Sequence, residues 1–218
     1  MKVLLLCDDT WHPAEIIERG LRSMNTEDME FDIVKTAKDI LTPEFVRSYD
    51  AVVNCHGDSI NASNPNPWFE KGVTEFGAEE FKAYVEQGGA LVVVHSGLTV
   101  AGDKHPFPAY TDVVGSYFVS HAPRELAYVR ITKRNEITNG VNDFCERDEH
   151  YQLMYTADDI EPFMETESAH GGTNVSGYTR IYGKGRVAVL TPGHTLAVWE
   201  NPDFRKLLKN AIRWAAAR

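Results

Sequence analysis

The feature that most constrains the fold is the run Ala90-Leu91-Val92-Val93-Val94, apolar at every position and preceded by Gly88-Gly89. A strand with one wet face alternates apolar and polar residues, so a run without alternation must be covered on both faces. That places it in the centre of a mainly parallel sheet with helices on either side.

The flanking segments supply such units. Val3 to Cys7 reads as a strand and Pro13 to Met24 as a helix with Ile16, Ile17 and Leu21 on one side. Phe31 to Lys35 reads as a second strand, Thr42-Pro43-Glu44 opens a short helix with Pro at its first position, and Asp50 to Asn54 reads as a third strand. After a Ser-, Asn- and Pro-rich loop from Ser59 to Gly72, Thr74-Glu75 opens a helix with Phe76, Phe81, Tyr84 and Val85 as its stripe, ended by Gly88-Gly89.

The second half is β-rich and less regular, with strands expected at Leu126 to Thr132, Glu146 to Leu153, Thr179 to Tyr182 and Arg186 to Leu190, the last two as a hairpin across Gly183-Lys184-Gly185. Asn201-Pro202-Asp203 opens a terminal helix whose Phe204, Leu207, Leu208, Ala211 and Trp214 share a side. The 218 residues, 43% hydrophobic and 25% charged, suffice for one core and are read as one domain, 1–218.

A net charge of −10 argues against nucleic acid or an anionic membrane surface as partner, since both require a basic footprint. Cys7, Cys55 and Cys145 are too scattered for a disulfide framework or a thiolate zinc site. The apolar run at the N-terminus is too short for a signal-peptide core, so a cytoplasmic location is expected. A small-molecule ligand fits this composition, and homo-oligomerisation is left open.

In open α/β sheets, ligands bind beyond the carboxyl ends of the strands. His12 lies in the loop after the first strand, His56 two residues past Asn54, His95 directly after Val94, His121 after Gly115-Ser116-Tyr117-Phe118, and His194 after the strand ending at Leu190. A single such histidine usually bonds a loop backbone. Several at one sheet edge point to shared acid/base chemistry or to a transition metal. No HExxH, HxH or paired-Cys spacing occurs, so a metal site would have to be assembled from distant loops. Arg147-Asp148-Glu149-His150-Tyr151 adds carboxylates, an imidazole and a phenol.

Four stretches in order resemble the ThuA-like (trehalose utilisation) family. They are Phe81 to Ser96 with its Gly-Gly turn and strand ending in His; Val114 to His121; Ile137-Thr138-Asn139-Gly140 through Asp148-Glu149-His150-Tyr151; and Gly183-Lys184-Gly185-Arg186-Val187 with Pro192-Gly193-His194 and Asn201-Pro202-Asp203-Phe204. The resemblance implies a flavodoxin-like α/β fold of the class I glutamine amidotransferase-like type. Val93-Val94-His95-Ser96-Gly97 then puts His95 where an amidotransferase carries its nucleophilic cysteine, which argues against glutamine hydrolysis. It also implies carbohydrate metabolism, with a sugar or oxidised disaccharide as ligand.

On that reading His95, Glu149 and Tyr151 are the catalytic candidates; Trp11, His56, Asp58 and Tyr117 bind substrate; and His95, His121 and His194 hold a divalent metal such as zinc, if one is present. The alternative is a non-catalytic sugar-binding or regulatory module on the same scaffold.

Overall fold

The computed structural model describes residues 1–22, 24, 28–35, 40–57, 75–100 and 107–217. The first half comprises β1 (Lys2–Leu6), α1 (Ala14–Arg22), β2 (Glu30–Val34), α2 (Pro43–Arg47), β3 (Ala51–Asn54), α3 (Ala78–Glu86) and β4 (Ala90–Val94). Thr42 caps α2, its hydroxyl accepting the Phe45 N–H at 3.2 Å, and Pro43 takes a position whose N–H has no helical partner anyway.

A 3₁₀ turn, His95–Leu98, follows β4. The rest is α4 (Pro108–Val114), β5 (Ser116–His121), β6 (Glu125–Ile131), β7 (Phe144–Asp148), β8 (Tyr151–Tyr155), β9 (Glu161–Ser168), β10 (Gly172–Tyr182), β11 (Gly185–Leu190), α5 (Leu196–Glu200) and α6 (Pro202–Ala216).

Nine strands form one sheet in the order β2-β1-β3-β4-β11-β10-β9-β6-β7. The first five are mutually parallel, with β1, β3 and β4 adjacent as their unbroken apolar runs require. The side chains of β4 explain its composition: Ala90, Val92 and Val94 join the core on one face, and Leu91 and Val93 the core on the other. On the first face they meet Ile17 and Leu21 of α1, Trp199 of α5 and Phe204, Leu207, Leu208 and Ala211 of α6. The second face is closed by Val46 of α2, Phe81, Tyr84 and Val85 of α3, and Tyr110, Val113 and Val114 of α4.

Three expectations change. Thr74 lies outside the described residues and α3 starts at Ala78, because the Glu80 carboxylate takes the Gly77 N–H at 2.9 Å and fixes the first turn there; Phe76 packs into the core ahead of the helix. The second half is also more regular than its sequence suggests. β10 pairs β11 as a hairpin, and β9, β6 and β7 continue the same sheet antiparallel. Finally, Glu146 to Leu153 is not one strand. Asp148 ends the pairing of β7 with β6, and Tyr151 starts β8, which pairs with β5 in a separate two-stranded sheet.

The cause of that break is a long-range set of bonds: the Asp148 carboxylate accepts the backbone N–H groups of Gly193, His194 and Thr195 at 2.8, 3.0 and 3.1 Å. The chain therefore leaves one sheet and enters the other between these residues, and Glu149 sits at the crossing. Among the described residues, no helix is long and apolar enough to cross a membrane.

Candidate functional site

The loops after β1, β4 and β11 and the β7–β8 crossing meet at the carboxyl edge of the parallel strands. In the first loop, the buried Asp9 carboxylate accepts the backbone N–H groups of Trp11 and His12 at 2.9 and 3.0 Å, and reaches the Gly57 N–H beyond β3 at 2.9 Å. The same carboxylate lies 2.7 Å from His12 Nδ1. Burial pushes the Asp9 carboxyl up, but the contacts with His12 and Gly57 outweigh it and hold it below the ordinary value. An ionised Asp9 only accepts, so Nδ1 of His12 carries the proton and Nε2 keeps its lone pair.

His95 has φ 45°, a left-handed conformation that a non-glycine residue adopts only when its surroundings impose it. The sharp turn swings the ring back over the end of the sheet, where Nδ1 donates to the Thr191 carbonyl at 2.7 Å. Nε2 is then the lone-pair nitrogen. It is buried, has no hydrogen-bond partner, and lies 3.5 Å from Oε2 of Glu149. Burial lowers the His95 pKa to about 4 against the opposing pull of Glu149, so the ring is neutral at pH 7. One face stacks on Tyr151, with centroids 4.0 Å apart.

His194 is placed by the three N–H bonds to Asp148. Its Nδ1, also buried and without a hydrogen-bond partner, is 3.1 Å from Oε2 of Glu149, and its Nε2 is 3.2 Å from Nη1 of Arg124. Burial raises the Asp148 carboxyl to about 7 against the N–H bonds that favour its charge. Glu149 is also pushed up by burial, yet the contact with His194 more than offsets this and holds its carboxyl below the ordinary value. One ligand atom each from His12, His95, His194 and Glu149 lie within 4.8 Å of one another. Three imidazoles around a carboxylate are a donor set suited to a borderline divalent cation such as zinc. Two of the rings are oriented by outer contacts, Asp9 behind His12 and the Thr191 carbonyl behind His95, as such ligands usually are.

Of the histidines expected to hold a metal, His95 and His194 are brought together. His121 is not in the group: from the end of β5 its Nε2 reaches the other oxygen of Glu149 at 3.8 Å, and the third histidine of the group is His12. Tyr151 is buried beside the cluster with its hydroxyl 3.4 Å from His12 Nε2, and burial keeps the phenol protonated well above the ordinary value. His56 is buried behind Asp9 with its pKa lowered to about 4 by desolvation. Trp11 is 71% exposed next to His12, and Tyr117 is half-buried on β5 four residues before His121. Asp58 lies outside the described residues. Ser96 donates its hydroxyl to the Cys55 carbonyl.

Asp9 and Arg124 carry no sequence signal for this site, and Asp148 stands out only as one carboxylate of the Arg147 to Tyr151 segment. Asp9 follows another aspartate at a strand end, and only the loop geometry shows which of the two turns inward.

The sequence profile of the ThuA family, described as trehalose utilisation, matches residues 2–215. The chain belongs to the ThuA family. Solved structures agree on the fold: a putative ThuA-like protein from Parabacteroides merdae (TM-score 0.75, 18% identity, 100% of this chain and 90% of that one) and another from Bacteroides uniformis (0.73, 18%, 99% and 91%). A protein from Salmonella typhimurium described as cytoplasmic also matches (0.72, 15%, 100% of both chains). No curated protein sequence matches this ThuA-family chain.

Proposed function

We propose that this ThuA-family protein is a metal-dependent enzyme of carbohydrate metabolism acting on a sugar or oxidised disaccharide. One observation carries the reading: His95 Nε2 and His194 Nδ1 are both buried without hydrogen-bond partners and converge on Glu149, with His12 completing the group. Leaving buried polar atoms unpaired costs about 1–3 kcal/mol each, so their convergence is better explained by a ligand than by packing.

A divalent cation held by His12, His95, His194 and Glu149 would supply Lewis acidity and a bound water that ionises near neutral pH. The protein groups divide the remaining work. Asp9 and the Thr191 carbonyl fix which ring nitrogens face inward. The outer oxygen of Glu149 faces the mouth of the site, where it can accept a hydrogen bond from a bound water or ligand, with His121 3.8 Å away. Tyr151 stays protonated and acts as a hydrogen-bond donor rather than a base. The strand order β2-β1-β3-β4-β11 supports the flavodoxin-like, amidotransferase-like reading of the parallel half, and His95 at the turn after β4 supports the loss of cysteine-based hydrolysis. A sugar partner, a cytoplasmic location and a single domain over 1–218 complete the proposal.

The test is to incubate zinc-loaded and chelator-stripped protein with neutral and oxidised mono- and disaccharides and follow products by NMR. Conversion by the loaded protein alone is expected. No conversion of any sugar, or equal conversion by stripped protein, contradicts the reading.

A further inference from the structure

Arg124 places a fixed positive charge at the mouth of the site, although the chain as a whole carries a charge of −10. Arg124 and His121, with side chains 56% and 38% exposed, flank the outer oxygen of Glu149, whose side chain is only 9% exposed. Among the described residues, the one carboxylate contacting Arg124 is Glu149, at 3.9 Å. The backbone of Arg124 is tethered, since its carbonyl accepts the Arg147 Nε–H at 3.2 Å, while its long side chain reaches over the cluster.

That side chain meets His194 at an instructive atom. A guanidinium only donates, so the 3.2 Å contact assigns the lone pair to His194 Nε2 and the proton to Nδ1. Coordination through Nδ1 needs the opposite tautomer. Nε2 would then carry a proton aimed at another donor, and Arg124 would have to turn away, toward the exposed mouth. There, among the described residues, no carboxylate is left to pair with its charge: a divalent cation draws on Glu149 and, through His12, on Asp9, and Asp148 is committed to its three backbone donors.

We propose that Arg124 is the anion-recognition residue of this site and that the ligand is an acidic sugar, a saccharide bearing a carboxylate or phosphate group seated on the guanidinium. The fork of an arginine binds either group through two parallel N–H donors, and such charge-assisted bonds are the strong ones. This deepens the proposed function and rests on its metal site.

The test uses the zinc-loaded full chain. Zinc content is measured first for wild type, Arg124→Ala and Arg124→Lys. Calorimetric titrations with glucuronate, gluconate, glucose 6-phosphate, glucose and trehalose follow. Acidic sugars should bind at least about tenfold more tightly than neutral ones, as one net charge-assisted hydrogen bond implies. Arg124→Ala should erase that preference while retaining one zinc and the wild-type unfolding midpoint, because the side chain is exposed; Arg124→Lys should restore part of it. The carboxylate and phosphate arms identify which anion is preferred. Equal affinity for acidic and neutral sugars in wild type, or a preference that survives Arg124→Ala, overturns the proposal even if zinc is bound. An Arg124-dependent preference in protein that takes up no zinc would support the anion site and overturn the metal reading alone.

Discussion

Replacing Asp9 by Asn removes one charge and one acceptor while keeping the shape of the side chain. In the native loop, one carboxylate oxygen takes the Trp11 and His12 N–H groups and faces His12 Nδ1, and the other takes the Gly57 N–H at 2.9 Å. If the Asn oxygen keeps the first role, its NH₂ faces the Gly57 N–H, donor against donor, in a buried setting. Losing a hydrogen bond to a charged group and stranding its partner costs roughly 2–4 kcal/mol. For a chain of this length that is a fall of roughly 5–15 °C in unfolding midpoint.

The same change weakens the group that orients His12, which lowers metal affinity by about 10–100-fold. Because the Asp9 carboxyl is held below its ordinary 3.8, its contribution is complete above that value and fades as pH falls through the lower folded-state value. The assays are urea unfolding of metal-free protein at pH 7 and a competitive zinc titration at a temperature where both proteins are folded. A stability loss with unchanged zinc affinity would mean that Asp9 only caps the loop. Unchanged stability would refute the hydrogen-bond account itself.

Two further outcomes follow from the same geometry. A Cβ at Gly97 would stand 2.2 Å from the Asn54 carbonyl oxygen, so Gly97→Ala should cost more than about 3 kcal/mol in urea unfolding, since backbone must move at the β3–β4 junction; a loss under about 1 kcal/mol would contradict the packing described. In metal-free protein, burial lowers His95 from 6.5 to about 4, so wild type should lose up to roughly 3 kcal/mol relative to His95→Gln as pH falls from 6.5 toward 4, because protons then bind the unfolded chain more readily. A constant difference between the two proteins at pH 7 and pH 5 would show that His95 is not desolvated as described.

The parallel half of the fold is legible because burial on both faces leaves a direct mark: β4 is an unbroken apolar run, and it lies inside the sheet between β3 and β11. The antiparallel half was harder to read. β9, Glu161–Ser168, mixes acidic residues with Pro162, and its inward residues are recognisable only beside β6 and β10. The break between β7 and β8 has no local signal, since its cause is Asp148 bonding to residues more than forty positions away.

The site was legible in outline by the same logic. Strand-end histidines converge, and His95 and His194, both candidates from sequence, lie in the cluster. From sequence, His121 rather than His12 is taken for the metal set, although both stand at strand ends. What separates them is the inward turn of the β1 loop around Asp9, set against the outer position of β5 in a separate small sheet.

The most direct test of the metal centre is the zinc stoichiometry of untagged protein after equilibrium dialysis, compared among wild type, His12→Ala, His95→Ala, His194→Ala and His121→Ala. The account predicts one tightly held zinc in wild type and His121→Ala, and none in the other three while they remain folded. Zinc retained by His12→Ala but lost by His121→Ala, or no zinc in wild type, would contradict it.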